Sequence, residues 1–296
     1  MIYYVSCTNI HKGDGSRENP FRTIRQAAAK ARTGDTIVIG GGKYREMVEP
    51  VYGGQSDLAR ITYSAAEGEK VIISGAEAFD HWERQEGRLW KTTVDNAVFG
   101  DVNPFDTLIC GDWYDNFGQD HHTAEVYLED EALYEAASYN ALISMDKPMT
   151  WFAVAHEDLT EVWANFGDVD PNTTCTEYNA RVSCFFPRHE GVDYITLKGI
   201  TFEKAATQWA PPTGFQIGLV GVHWSKGWII EDCEIRHSKC SGLSLGKRYE
   251  EDDNLWTRNG LKGGTQTYTE TIIKNSQRDW KKEYLRDQQE VSLQNL

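Results

Sequence analysis

The stretch that decides the fold is residues 13–46, GDGSRENPFRTIRQAAAKARTGDTIVIGGGKYRE. Apolar residues recur at helical spacing within residues 21–32, which predicts one short amphipathic helix that ends before Gly34. Residues 35–39 then predict a buried strand, and the three glycines after it separate that strand from a second extended segment at 43–46. The stretch therefore predicts a short helix followed by short strands between glycine turns.

Short strands at regular spacing continue along the chain. Turn signals interrupt residues 60–75 about once every ten residues, which is typical of a repeated β architecture. Apolar positions in residues 195–202 superpose on those in residues 228–235, and residues 214–219 and 240–245 supply a second pair of similar segments. Because both pairs repeat in the same order, stacked coils are favoured over an ordinary sandwich, and the open end of such a stack needs a cap.

The middle of the chain has a different pattern. Residues 80–190 contain five of the ten tryptophans and several segments that alternate apolar and polar residues between acidic turns. That alternation predicts antiparallel sheets. We therefore expect an all-β protein with an inserted β-sandwich-like domain. The short N-terminal capping helix and the first coil resemble a right-handed parallel β-helix of the pectin-lyase-like type, which is the fold that this resemblance implies. The expected divisions are 1–79 (cap and first coils), 80–190 (insert), 191–275 (further coils) and 276–296 (atypical tail).

The tail leaves two alternatives open. Apolar residues at intervals in residues 276–296 are compatible with a short amphipathic helix that caps the stack. The other interpretation is that the chain is truncated and that its last coil exposes an unpaired edge.

Composition limits the possible partners and the compartment. The 296 residues carry a net charge of −15, which argues against a nucleic-acid partner because such binding rests on clustered Lys and Arg. The sequence begins with no signal-peptide pattern, contains no run of about 18 apolar residues, and has six cysteines without a CxxC pair. We expect a cytoplasmic protein without a membrane partner, suited to a neutral sugar, and a homo-oligomer stays open.

The first candidate site is the segment 111–122, GDWYDNFGQDHH, which combines aromatic rings, carboxylates and two adjacent histidines. Trp113 can stack on a sugar ring, while Asp115, His121 and His122 can bond its hydroxyls. The more ordinary alternative is a strand end with an apolar anchor and solvated charges. Adjacent histidines on a strand cannot both face one ion, and no HExxH motif is present, so we expect neither a metal nor a cofactor.

Two further segments carry candidate residues. His223 and Trp224 precede a turn in residues 221–228, although a packed structural histidine is the commoner outcome for His223. Lys247 opens a long polar loop, and such loops often carry function. Glycoside hydrolysis needs two carboxylates, and none of the many acidic residues forms an aligned pair on neighbouring coils, so no catalytic residue is assigned.

Three sequence features together resemble a known family: the cap with its first coil, the inserted GDWYDNFGQDHH, and the segments GLVGVHWSKGWIIEDCEIRHSKCSGLSLGKR and DNLWTRNGLKGGTQTYTETI. They resemble the β-xylosidases of glycoside hydrolase family 120, in which a β-sandwich interrupts a right-handed β-helix. The resemblance extends to about Lys274. It implies retaining removal of xylose from short xylo-oligosaccharides, as in xylan degradation, with Trp113 projecting over the substrate.

The chain also departs from that family. The nucleophilic Asp and the acid/base Glu of the family lie in later coils, and nothing in this sequence matches those motifs. We therefore expect a truncated β-xylosidase-like protein that lacks the catalytic pair. The alternatives are a non-catalytic carbohydrate-binding β-helix and a structural solenoid of the adhesion or tailspike type.

Overall fold

The computed structural model describes residues 1–111, 114–209 and 217–245, and every structural statement below concerns these residues. They form mostly β-strands and contain two α-helices, α1 (Ile24–Lys30) and α2 (Tyr139–Met145), which confirms the all-β expectation. The predicted tail lies outside the described residues. The strands are β1 (Ile2–Val5), β2 (Thr36–Ile39), β3 (Gly42–Arg45), β4 (Ile61–Ala65), β5 (Val71–Ser74), β6 (Ala76–Ala78), β7 (Glu83–Arg84), β8 (Leu89–Asp95), β9 (Val126–Leu128), β10 (Glu131–Ala132), β11 (Tyr134–Glu135), β12 (Thr150–Ala155), β13 (Leu159–Asn165), β14 (Thr176–Asn179), β15 (Ile195–Lys198), β16 (Ile200–Glu203), β17 (Val220–Gly221), β18 (Ile229–Glu231), β19 (Glu234–Arg236) and β20 (Leu243–Ser244).

Two parallel sheets contain most of the strands on either side of the middle segment, and β17 and β20 form a further parallel pair. One has the order β1-β2-β4-β15-β18, the other β3-β5-β16-β19, and every neighbouring pair in them is parallel. The register pairs Leu197 with Ile230 and Phe202 with Ile235, which confirms the superposition expected for residues 195–202 and 228–235. Apolar residues of both sheets belong to one buried core.

The short helix α1 packs its apolar face on that core, through Ile24, Ala27 and Ala28. It begins later than the apolar pattern predicts because Thr23 is the N-cap: its hydroxyl accepts the Gln26 N–H, and the Gln26 side chain accepts the Thr23 N–H. The buried carboxylate of Glu46 accepts the first two helical N–H groups, at 2.8 and 2.9 Å. The helix is thus fastened to the end of β3.

The middle of the chain forms two sheets that are mostly antiparallel. Their orders are β10-β9-β14-β6 and β11-β12-β13-β8-β7, with β11–β12 as a parallel pair. The two sheets share a second apolar core, in which the indoles of Trp82 and Trp151 are almost fully buried. Their antiparallel pairing agrees with the alternation in the sequence. No helix within the described residues has the length and apolar content needed to cross a membrane.

Candidate functional site

The loop that carries the first candidate residues is shaped by its own side chains. Asp115 is exposed, and its Oδ1 accepts the Phe117 N–H at 2.8 Å, while Asn116 Oδ1 accepts the Gly118 N–H at 3.0 Å. These Asx contacts stabilise a turn in which Phe117 has a φ of 51°. Asp115 therefore has a local structural task. Trp113 lies outside the described residues.

His121 and His122 converge on one buried carboxylate. Nδ1 of His121 lies 3.3 Å from Glu135 Oε2, and Nδ1 of His122 lies 2.6 Å from Glu135 Oε1. Their rings are 27% and 30% exposed, whereas the Glu135 side chain is 6% exposed. The expectation that adjacent histidines cannot both face one ion assumed an alternating strand. Both rings can face one carboxylate here because the two residues lie outside the regular strands.

A second carboxylate borders this group. Glu125 is mostly buried, and its Oε2 lies 3.1 Å from the Lys239 ammonium. Burial raises the pKa of Glu125 and the negative charge of Glu135 adds to this, while Lys239 and His121 act in the opposite direction. Glu135, His121 and Lys239 are thus near enough to influence Glu125 electrostatically.

The insert loop meets the segments that follow β16 and β19. The Tyr114 ring lies 6.4 Å from the Trp209 ring, and burial raises the pKa of Tyr114. The neighbouring Gln208 donates to the Leu108 carbonyl at 2.9 Å, while Thr207 Oγ1 accepts the Cys240 N–H at 2.8 Å. The first bond connects the insert with the segment that follows β16, and the second connects the segments that follow β16 and β19. We refer below to the loop cluster, which consists of Tyr114, His121, His122, Glu125, Glu135, Trp209 and Lys239.

The second pair of candidates lies in a packed environment. His223 Nδ1 is 2.8 Å from the Pro187 carbonyl oxygen, and its ring stacks on Phe186 with a centroid distance of 4.7 Å. Burial lowers the pKa of His223, which favours a neutral ring that donates to this carbonyl. His223 and the half-buried Trp224 both have left-handed backbone conformations. These contacts fit a structural histidine, and a sugar contact by either residue stays a prediction. Lys247 lies outside the described residues.

A second group of charges lies between the insert and the parallel sheets, and we call it the buried ion network. Its centre is formed by Glu177 of β14 and Glu203 of β16, whose side chains are fully buried. Lys204 Nζ lies 2.5 Å from Glu177 Oε2, and Lys43 Nζ lies 3.0 Å from one oxygen of each glutamate. The remaining members are Arg45, Arg236 and Asp130.

The network stabilises the ionised form of Glu177. Burial by itself would raise the pKa of Glu177, but the hydrogen bonds and charges of Lys204, Lys43 and Arg45 outweigh it and lower that pKa. Because this pair of glutamates is closed off from solvent and held by permanent cations, it cannot serve as an acid and a nucleophile toward a substrate. In the described part of the chain, no group of three or more His, Cys, Asp or Glu residues is arranged to hold a metal ion.

Comparison with known proteins identifies the middle segment. Residues 79–150 match the family model described as the glycoside hydrolase 120 insertion domain. The resemblance to glycoside hydrolase family 120 is confirmed. The matched segment includes His121, His122 and Glu135, which belong to the loop cluster. It also includes Asp115, whose loop borders that cluster.

Solved structures extend the similarity beyond this domain. The structure of XylC in complex with xylose is 43% identical, has a TM-score of 0.80, and covers 84% of this chain. The chain spans 42% of XylC, less than half of its length. A second structure, called a glycoside hydrolase, is 15% identical with a TM-score of 0.56 and shares the fold over 82% of this chain and 63% of its own. A 72-residue segment is also 39% identical to the uncharacterized protein YwoF of Bacillus subtilis (strain 168), and covers 24% of this chain and 15% of YwoF.

Several members of the loop cluster are absent from the sequence-based candidates. Glu125 and Glu135 look ordinary in the sequence because acidic residues are abundant. Trp209 and Lys239 are also absent from the candidates, although Lys239 lies within the segment 218–248 that carries the family resemblance. Glu125 and Lys239 come from segments more than a hundred residues apart, and the packing of the insert against the parallel sheets brings their charged atoms within 3.1 Å.

Proposed function

We propose that the chain is the N-terminal part of a β-xylosidase-like glycoside hydrolase that acts on short xylo-oligosaccharides. The observation that carries this proposal is the 43% identity to XylC over 84% of the chain, together with the xylose in that structure. The parallel sheets support a right-handed parallel β-helix for residues 1–79 and 191–245, and its expected continuation to residue 275 lies outside the described residues. In this proposal residues 80–190 are the sandwich-like insert, and residues 276–296 are the atypical tail.

The loop cluster is the proposed sugar-binding region. The Tyr114 and Trp209 rings supply apolar faces, and the partly exposed imidazoles of His121 and His122 supply polar atoms for hydroxyl groups. A sugar ring needs both kinds of contact, because its faces are apolar and its edge is polar. The sequence-based proposal that sugar contacts come from Trp113, Lys247, His223 and Trp224 is kept. Asp115 is proposed to act indirectly, by stabilising the turn that shapes the loop.

We assign catalysis to residues other than Glu135, Glu177 and Glu203. A retaining glycosidase places two carboxyl groups about 5 to 5.5 Å apart on either side of the scissile bond. Glu177 and Glu203 are closed to solvent and ion-paired, and Glu135 is occupied by two imidazoles. We therefore propose that these 296 residues bind the sugar and that the catalytic pair lies elsewhere in the complete enzyme. A carbohydrate-binding β-helix without catalysis is the alternative.

Two measurements on the 296-residue chain test the proposal. Calorimetric titration with xylobiose is expected to show saturable binding, and titration with cellobiose provides a control for sugar specificity. Release of 4-nitrophenol from 4-nitrophenyl β-xyloside is expected to stay at the rate of the buffer. Lack of xylobiose binding contradicts the sugar site, whereas turnover contradicts the assignment of the catalytic pair outside these residues.

A further inference from the structure

Glu135 is placed to control two neighbouring side chains at once. Its two carboxylate oxygens face the Nδ1 atoms of His121 and His122, and the His122 backbone N–H donates to Oε2 at 3.1 Å. The carboxylate is buried, whereas more than a quarter of each histidine side chain is exposed to solvent. A buried anion thus holds two rings that reach the solvent.

The backbone of Glu135 is itself fixed. It belongs to β11, where Glu135 is paired with Trp151 of β12, and the adjacent Ala136 N–H donates to the Trp151 carbonyl at 2.7 Å. The side chain of Gln119 donates to the Glu135 carbonyl at 3.0 Å. These bonds tie the residue to the sheet and to the His121–His122 loop. The carboxylate therefore has a rigid support from which to orient the rings.

The chemistry of the carboxylate decides where the imidazole hydrogens are. An ionised carboxylate only accepts hydrogen bonds, so the Nδ1 atom that faces it must carry the hydrogen. In a neutral imidazole the other nitrogen, Nε2, then has a free lone pair and accepts. Within residues 1–111, 114–209 and 217–245, no hydrogen bond occupies Nε2 of His121 or His122. Both rings therefore offer an acceptor to a ligand.

We propose that Glu135 is a positioning residue, which fixes His121 and His122 as Nδ1–H tautomers so that their Nε2 atoms accept hydrogen bonds from sugar hydroxyls. This inference rests on the proposed sugar site and adds its ligand class. Two neighbouring acceptors suit a neutral sugar with adjacent hydroxyls, such as xylose units.

Nitrogen-15 NMR of histidine-labelled protein tests the tautomers directly. In long-range proton–nitrogen spectra at a pH of about 8, where an ordinary imidazole is neutral, we expect both rings to show the Nδ1–H pattern. His121→Gln and His122→Gln assign the two signals. Either ring in the Nε2–H form, or doubly protonated, would overturn the proposal.

Glu135→Gln changes the acceptor pair into one acceptor and one amide donor. One ring must then accept through Nδ1 and carry its hydrogen on Nε2, so we expect one tautomer to switch and xylobiose affinity to fall about tenfold. Glu131→Gln is the matched control, since it removes the same charge from an exposed position on β10 and is expected to change neither signal. Unchanged tautomers in Glu135→Gln, or a switch without loss of affinity, contradict the positioning role.

The two proposals fail in different ways. Lack of xylobiose binding by a wild-type chain with both Nδ1–H tautomers overturns the proposed sugar site, and with it the hydroxyl contact. Normal binding by a wild-type chain with other tautomers overturns only the role of Glu135.

Discussion

The buried ion network and the loop cluster both surround glutamates with positive or titratable groups, but they do so in opposite ways. Glu177 and Glu203 are fully buried and face lysines and arginines, whose charge is permanent near neutral pH. Glu135 faces two partly exposed imidazoles, whose tautomers depend on their hydrogen-bond partners. The first arrangement fixes how the insert sits on the parallel sheets, whereas the second leaves polar atoms available to a ligand.

The largest effect is expected where this contrast is strongest, at Lys204. Its ammonium is fully buried and contacts Glu177 Oε2, Asp130 Oδ1 at 3.0 Å, and the Glu129 carbonyl oxygen at 2.7 Å. Lys204→Met leaves the Glu177 carboxylate with less compensation, and losing one partner of a buried pair costs about 3 to 5 kcal/mol. We expect the free energy of unfolding, measured by urea denaturation, to fall by this amount.

Lys198→Met is the control for Lys204→Met. Lys198 pairs with Glu231 at 2.9 Å, but about half of each side chain is exposed, so water replaces the lost contact. Its urea midpoint is expected to stay at the wild-type value. An equal decrease in the free energy of unfolding in Lys204→Met and Lys198→Met would show that the contribution of these ion pairs to stability does not depend on burial.

A smaller effect is expected from acid. The pKa of Glu177 is lowered in the folded protein from an ordinary value of 4.5. A carboxyl group with a lowered folded-state pKa stabilises the fold above its unfolded pKa, and that stability is lost as the pH falls through the folded-state value. We expect the melting temperature of the wild type to fall faster below a pH of about 4.5 than that of Glu177→Gln.

The comparison between these two melting curves separates Glu177 from other acidic groups. Burial raises the pKa of Glu46 and Glu125, so their contributions change with pH in the opposite sense. Both groups are present in the wild type and in Glu177→Gln, and they cancel in the difference. Parallel acid limbs in the two proteins would contradict the stabilising role of ionised Glu177.

The sequence allows the stacked strands to be predicted better than the loop cluster. The apolar positions of residues 195–202 and 228–235 specify their register, because an apolar side chain on the wrong face would lose its burial. The start of α1 was predicted less well, since the capping interactions of Thr23 and Glu46 outweigh the apolar pattern. Local sequence patterns are therefore sufficient to predict structure where the same apolar contact repeats from one strand to the next.

The convergence of His121 and His122 on Glu135 could not be predicted in this way. The alternation argument applies to extended strands, and these two residues lie in a loop whose course depends on the turn at Asp115 and on Gln119. Their acceptor, Glu135, is a single acidic residue among 45. The site depends on non-repeating contacts between distant segments, so composition and periodicity carry no signal for it.

The smallest effect is expected at Asp115, where the contrast between structural and ligand-binding carboxylates can be examined within the loop itself. Asp115→Asn keeps an oxygen that accepts the Phe117 N–H, whereas Asp115→Ala removes it. If Asp115 serves the turn, Asp115→Ala lowers stability by about 0.5 to 1.5 kcal/mol and weakens xylobiose binding slightly, while Asp115→Asn leaves both unchanged. The checks are urea denaturation and calorimetric titration. If Asp115→Asn loses as much xylobiose affinity as Asp115→Ala, the charge of Asp115 contacts the sugar, as the sequence alone suggested. The carboxylates of this loop would then not be divided between turn formation and ligand binding.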